Sequence, residues 1–308
     1  MRIMLFGINN GSINEIKEFE FTSEKELQLL CENNLMKLVN LYFVDTEFTV
    51  SNFRLDTVAF DSEANAFVII EYKNKRNISV IDQGYTYLST MFNHKADFVL
   101  RYNMKFEEKK DINDFDWSQS RIIFISTNFT KYQINSINFK DLPIELWKIK
   151  RYNNNTISFE QILSVNSNES IKTIAPVFDS DVKQEVFKST KTYSERDLLD
   201  KASSFIIDIY NELKDYILSL DDNIIINPTK LYIGFNRSRK SIISIKPQKN
   251  SIILWINAEP QNIIDPQGII KDVTNIGHHG NGNSQIKIID NKNIGYIEDL
   301  LKTYVSTL

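Results

Sequence analysis

The 308-residue chain has a single cysteine, Cys31, and only three histidines. An internal disulfide is therefore excluded, and structural zinc has no Cys/His spacing to be built from. That leaves oxygen ligands and hard cations, magnesium or manganese, as the metals to consider. Long hydrophobic runs are missing as well. Apolar stretches stop at five residues, as in Ala66 to Ile70, against the roughly 20 that a membrane-spanning helix needs, so no membrane partner is expected. The N-terminus carries one arginine and a brief apolar patch, without a sustained hydrophobic segment or small-residue cleavage site, and a cytoplasmic protein is the expectation. There is no internal repeat of solenoid period, no phosphate-loop lysine pattern and no dinucleotide-binding glycine fingerprint.

What is present is the make-up of a globular protein, 42% hydrophobic and 25% charged, long enough for about two domains. The net charge of -4 neither demands nor excludes a nucleic-acid partner. It is unevenly placed. Beyond Asp222 stand ten Lys/Arg and six Asp/Glu, so the remainder is the acidic part and needs a reason, such as a bound divalent cation, to approach a polyanion.

Glu24 to Val39 has apolar residues at three- and four-residue spacings behind Thr22 and Ser23, which predicts a helix that buries Cys31. Three β-rich runs follow, at residues 42–50, 53–61 and 66–72, the last apolar without alternation, as a strand covered on both faces would be. Asp61 to Asn65 reads as a hairpin-like loop between the second and third. A second helix is expected over residues 79–92, with strands at 97–102 and 121–126. The polar stretch 163–180 reads as a linker between a first domain, 1–162, and an α+β domain, 181–308. In the latter, residues 194–220 form one long amphipathic helix or a pair, followed by β-runs at 229–235, 241–246 and 251–257.

Asp56 falls inside a strand, where an ionised carboxylate is costly unless paired or bound to a metal. Fifteen residues later, Glu71-Tyr72-Lys73 ends the buried strand. Strand side chains alternate, so Glu71 and Lys73 share a face. Hairpin pairing of the two strands would bring Asp56 toward them. Two carboxylates and a lysine suit phosphodiester hydrolysis. The acids hold a divalent cation, and the lysine orients a water or offsets developing charge. Glu32, on the preceding helix among apolar neighbours, needs a partner and is a further candidate ligand. Separately, each of these residues reads as well as a surface ion pair at a strand end.

Together they resemble the PD-(D/E)XK nuclease superfamily. Asp56 with Glu71-Tyr72-Lys73 matches its metal and lysine motif, Gln83-Gly84-Tyr85-Thr86-Tyr87 matches the Q-x-x-x-Y motif of its RecB-like branches, and Glu32 looks like its acidic position on the first helix. Arg54-Leu55-Asp56-Thr57 and Val68 to Lys73 also resemble the nuclease part of archaeal and actinobacterial mismatch-cleaving endonucleases. The resemblance implies an α/β, restriction-endonuclease-like mixed sheet flanked by helices, and a magnesium- or manganese-dependent endonuclease acting on DNA. In that reading Glu32, Asp56, Glu71 and the Tyr72 carbonyl are metal ligands, Lys73 assists the attacking water, and Gln83 and Tyr87 support the site. A homodimer would supply two sites for two strands. A non-cleaving nucleic-acid-binding protein that keeps the fold is the alternative, and repair, restriction and phage defence stay open as roles.

The C-terminal phrases Leu231 to Phe235, Asp265-Pro266-Gln267-Gly268 and Asp272 to Gly282 resemble a bacterial domain labelled a predicted transport protein and commonly fused behind such nucleases. The glycine-punctuated loop there reads as an anion cradle or a demanding turn. Arg237, Arg239, Lys240 and Lys246, interleaved with Tyr232, Phe235 and Trp255, predict a basic, stacking surface for nucleic acid, or equally a solvated hairpin face.

Overall fold

A computed structural model describes residues 4–74, 80–137, 142–163, 181–277 and 280–308. The chain divides into two compact units, Met1–Lys191 and Thr192–Leu308.

In the first unit a separate hairpin, β1 (Leu5–Asn9) with β2 (Ser12–Ile16), precedes the short β3 (Glu18–Phe19). Then come α1 (Glu24–Glu32), α2 (Leu35–Val39), β4 (Tyr42–Val50), β5 (Phe53–Asp61), β6 (Ala66–Lys73), α3 (Val80–Asn93), α4 (Lys95–Phe106), β7 (Arg121–Ser126), α5 (Lys131–Ser136), β8 (Ile144–Tyr152), β9 (Ile157–Ile162) and α6 (Asp181–Ser189). Strands β4, β5 and β6 form an antiparallel meander, and β6, β7 and β8 run parallel, in a seven-stranded sheet ordered β3-β8-β7-β6-β5-β4 with β9 paired to β8. The order helix, three-stranded meander, helix, parallel strand is the restriction-endonuclease-like core that the sequence leads one to expect.

Strand β6 explains its own composition. Phe67 and Ile69 pack with Tyr85, Leu88 and Phe98 of the α3/α4 layer. Val68, Ile70 and Tyr72 pack with Leu27, Cys31 and Leu35 of the α1/α2 layer. Both faces are dry, so alternation is lost. Cys31 is core, as expected, and burial pushes its thiol up to about 12.

Three expectations change. The helix over 24–39 breaks in two at Asn33-Asn34, where the Asn34 side-chain amide donates to the Leu30 carbonyl (2.8 Å) and competes with the backbone ladder; Ser23 does cap the first half, accepting from the Glu26 amide (3.0 Å). The strand expected at 97–102 is instead inside α4. Phe98, Tyr102 and Phe106 recur every four residues and lay their rings against Phe48, Phe60 and Tyr42, a helical period that outweighs the β-prone composition. The domain boundary also moves. Residues 181–189 form α6 and pack on α3, with Phe187 on the Tyr85 ring (5.4 Å), the Ser89 hydroxyl donating to Glu185 (2.7 Å), and Lys183 paired to Asp82 (2.9 Å). Apart from Leu163, the expected linker lies outside the described residues.

Helix α3 lies close to the sheet because Gly84 faces it. A Cβ there would meet Ile144 Cδ1 at 3.0 Å and Ile122 Cγ2 and Phe124 Cε2 at 3.3 Å. Gly84→Val is expected to lift the helix and cost about 1–3 kcal/mol. Urea unfolding followed by circular dichroism measures that loss.

The second unit contains α7 (Glu195–Leu199), α8 (Ser204–Leu220), β10 (Ile224–Pro228), β11 (Ile233–Arg237), β12 (Lys240–Pro247), β13 (Ile252–Ile256), β14 (Lys271–Asp272), β15 (Ser284–Ile288) and α9 (Ile294–Ser306). Its antiparallel sheet, ordered β10-β11-β12-β13-β15-β14, packs Ile243, Ile245 and Leu254 against Ile209, Leu213, Leu300 and Leu301 of α8 and α9. This is the α+β unit expected, with the 194–220 region resolved into a pair of helices.

Candidate active site

The site lies where the β5/β6 ladder ends. Paired residues run from Asp61 opposite Ala66 to Thr57 opposite Ile70. One step further stand Asp56 and Glu71. There Asp56 Oδ2 accepts the Tyr72 amide N–H (3.0 Å), while the Asp56 carbonyl accepts from Gln28 Nε2 of α1 (2.9 Å). Side chains have taken over the hydrogen bonds that a continuing ladder would use. On the neighbouring strand Glu47 holds φ at +51°, and its carboxylate pairs with Lys25 (2.7 Å) and Arg54 (2.8 Å), so it is committed elsewhere.

Glu71 is 3% exposed. Its Oε1 accepts from Lys73 Nζ (2.8 Å) and from Gln83 Nε2 (2.8 Å), and the Gln83 amide also donates to the Tyr87 hydroxyl (2.9 Å). Its Oε2 is buried and makes no hydrogen bond. Burial and the Asp56 charge push the Glu71 carboxyl up to about 7, against the pull of Lys73 and Gln83. Burial also raises Asp56, outweighing its bond from the Tyr72 amide and the nearby ammonium. For Lys73, burial acts to lower the pKa, but Glu71, Glu24 and Asp56 together raise it. The group is short of positive charge: two buried or half-buried carboxylates share one ammonium and leave an oxygen without a donor.

Asp56, Glu71, Lys73, Gln83 and Tyr87 are thus gathered as the sequence leads one to expect. Glu32 is not. Its Oε1 accepts from Thr57 Oγ1 (2.6 Å), Thr46 Oγ1 (2.8 Å) and Gln28 Nε2 (2.9 Å). Thr57 and Tyr72 meet on the α1 side of the sheet (3.4 Å between hydroxyls), whereas Glu71 and Lys73 face α3. Glu32 therefore spends its bonded oxygen on the Thr57 face of the sheet, opposite to the face on which Glu71 meets Gln83. Among the described residues no three Asp, Glu, His or Cys side chains are grouped to hold a metal ion.

Two residues escaped the sequence reading. Gln28 is 4% exposed and ties α1 to Glu32, Thr46 and the Asp56 carbonyl, with Lys25 donating to its own oxygen (3.1 Å). Its signal was a polar pair, Gln28 and Glu32, four apart beside an apolar stripe. Glu24, in the first turn of α1, accepts the Asn74 amide (3.1 Å) and lies 3.8 Å from Lys73 Nζ.

The C-terminal expectations fare differently. Tyr232, Phe235 and Trp255 are buried, so they offer no stacking face. Arg237 pairs with Asp221 (2.8 Å) beside a two-residue turn, Ser238-Arg239, with φ of +50° and +69°. Lys240 starts β12 at that turn, and Lys246 lies near its other end, about 20 Å away at strand rise. The four residues do not form one surface. In the glycine-punctuated loop, whose residues 278 and 279 lie outside the described set, Gly280 backs onto the Trp255 ring and Gly282 has φ +103°, close to the Ile256 carbonyl. Those glycines answer a packing and turn demand.

No helix among the described residues is long and apolar enough to cross a membrane. No family model matches the chain. Three solved structures show limited likeness. The EndoMS complex with double-stranded DNA matches at TM-score 0.26 and 18% identity, over 37% of this chain and 40% of that one. A repair endonuclease from Pyrococcus abyssi matches at 0.27 and 17%, over 43% and 49%. The Pyrococcus furiosus SfsA protein, solved with Ca2+, matches at 0.25 and 15%, over 54% and 78%. The match spans less than half the length of the first two. A Haemophilus influenzae protein described as uncharacterized is 42% identical over 301 residues, 97% of this chain and 98% of that one. With that identity running across nearly the whole of both, the chain belongs to the family of this Haemophilus influenzae protein.

Proposed function

We propose that the first unit is a divalent-metal-dependent endonuclease that hydrolyses DNA phosphodiester bonds. One observation carries the reading: Glu71 Oε2 is buried without a donor beside Asp56, while Oε1 is held by Lys73 and Gln83. A buried, unpaired carboxylate oxygen next to a second acid costs free energy that a cation would recover. The donor set fits magnesium or manganese, which accept one or two carboxylates and keep several waters; Asp56, Glu71 and the Tyr72 carbonyl would hold the ion. Bound there, the ion would offset phosphate charge, activate a water and stabilise the departing 3′ oxygen.

The chain's own groups complete the arrangement. Lys73, held by Glu71 and Glu24, stays protonated and presents an ammonium to the attacking water or to a phosphoryl oxygen. Gln83 fixes the Glu71 carboxylate from α3, so that Oε1 is occupied and Oε2 is left for the ion. Tyr87 accepts the second Gln83 N–H and its ring rests on Phe53 (5.9 Å), which keeps the amide from rotating.

The test is incubation of the purified protein with linear, circular, single-stranded and mismatched DNA and with RNA, in Mg2+ or Mn2+ and in chelator. Metal-dependent cleavage of DNA that disappears in Asp56→Asn supports the reading. Cleavage that persists in that variant, or in chelator, overturns it. DNA binding without cleavage under every metal condition would favour the non-cleaving alternative.

A further inference from the structure

The second unit, taken whole, holds thirteen Lys/Arg and fourteen Asp/Glu, so its positive character is local. It concentrates at a recess of about 680 Å³ lined by Lys201, Lys230, Lys246 and Lys249 over Leu198, Leu231 and Pro247. The four lysines come from separate places in the chain: the α7–α8 connection, the β10–β11 loop, the end of β12 and the turn after it. None of the four is in an ion pair among the described residues. The carboxylate in the lining, Asp197, is already engaged, with Oδ2 accepting from the Ser194 amide (2.8 Å) and hydroxyl (2.8 Å).

A second feature adds to the field. The Ser203 amide, at the N-cap of the 17-residue α8, donates to the Lys249 carbonyl (3.0 Å), which places that helix start beside the lysine-bearing turn. The first turn of α8 contains no acidic residue. Four ammonium groups and the positive end of a long helix therefore converge on a lining that holds one carboxylate, Asp197.

We infer that this recess holds the phosphodiester backbone of nucleic acid. Lysine is a flexible point charge that attracts phosphate without fixing the base, and aromatic side chains are absent from the lining, so the contact would be sequence-independent. A membrane headgroup layer is flat and would meet the rim of a concave site rather than its floor, whereas a rod-like backbone can lie along it. The inference deepens the proposed endonuclease by giving the second unit a substrate-holding role, and it rests on that reading only for the choice of DNA.

The experiment uses the full chain in chelator, where cleavage is off, and follows fluorescence anisotropy of a labelled duplex and of a single strand from 50 to 200 mM salt. Lys201→Ala, Lys230→Ala, Lys246→Ala and Lys249→Ala combined are expected to weaken duplex binding by roughly tenfold or more at low salt. They should flatten the log–log salt slope by up to about 3.6, near 0.9 for each phosphate no longer neutralised. A charge-reversed Lys230→Glu/Lys249→Glu variant, at two exposed positions, should act in the same direction, while Lys240→Ala at the distant turn should leave binding unchanged. An unaltered slope in the fourfold variant, or equal weakening from Lys240→Ala, overturns the inference. So does binding to vesicles of anionic lipid by a protein that ignores both oligonucleotides. Salt-sensitive binding that depends on these lysines would stand even if no metal-dependent cleavage were found, which separates this inference from the nuclease reading.

Discussion

Glu71→Gln is expected to make the metal-free protein more stable at pH 8 and to leave it unable to cleave. Glutamine keeps the shape and can keep its contact with Gln83, while removing a charge that sits 3% exposed with one oxygen undonated and Asp56 beside it. The sign follows from proton linkage. Glu71 titrates at about 7 in the folded chain, above the ordinary 4.5, so the folded state holds its proton longer and native stability falls as pH rises between those values. By pH 8 the full penalty is present. Discounting for relaxation around the site, the gain from glutamine is on the order of 2 kcal/mol, or about 5 °C in Tm for a unit of this size. At pH 5 the two proteins should melt nearly together. Scanning calorimetry in chelator at both pH values measures the difference, and a lower Tm for the variant at pH 8 would show that Glu71 is compensated by something other than a metal.

Lys73→Met should move stability the other way with the same loss of activity. Its side chain is 15% exposed and supplies the ammonium bonded to Glu71. Removing one partner of a buried pair strands the other. Glu71 would then take up a proton, which limits the cost at pH 8 to roughly 2 kcal/mol rather than the full penalty of a stranded charge. Cleavage should fall by about 10²–10³-fold, the usual effect of deleting one group that stabilises developing charge. The double variant Glu71→Gln/Lys73→Met separates the two effects. Stability should return toward that of the parent protein because Glu71 no longer carries a charge without its partner, and Asp56 keeps its bond from the Tyr72 amide, while activity stays lost. A Lys73→Met protein with undiminished turnover would remove the lysine from the chemistry.

The parts of the first unit that the sequence revealed are those set by short-range pattern. Uninterrupted apolar residues from Ala66 to Ile70 could only be a strand covered on both sides, and alternation then put Glu71 and Lys73 on one face with Tyr72 on the other. The helical spacing of Gln83 and Tyr87 gave the hydrogen bond between them. What stayed hidden depends on where strands stop pairing. The ladder ends after Thr57 and Ile70, and this decides that Thr57 and Tyr72 turn toward Glu32 while Asp56 meets the Tyr72 amide. Period alone carries no information about which layer of helices covers which carboxylate, so Glu32 looked equivalent to the others. Gln28 was hidden for the same reason, since its three acceptors come from α1, β4 and β5. In the second unit the charge count beyond Asp222 suggested a basic domain, but α7 and α8 restore the balance with acids, and only the fold shows where lysines meet without partners.

The packing of α6 on α3 has a bearing on how the protein is made. The helix that carries Gln83 and Tyr87 receives its outer layer, Val186 and Phe187, from a segment synthesised about a hundred residues later, and the Ser89 to Glu185 bond spans 96 positions. A nascent chain emerging from the ribosome must therefore wait for that segment before the helix bearing Gln83 and Tyr87 is fully braced. A site assembled this way gains its final clasp late, when most of the first unit has already left the exit tunnel.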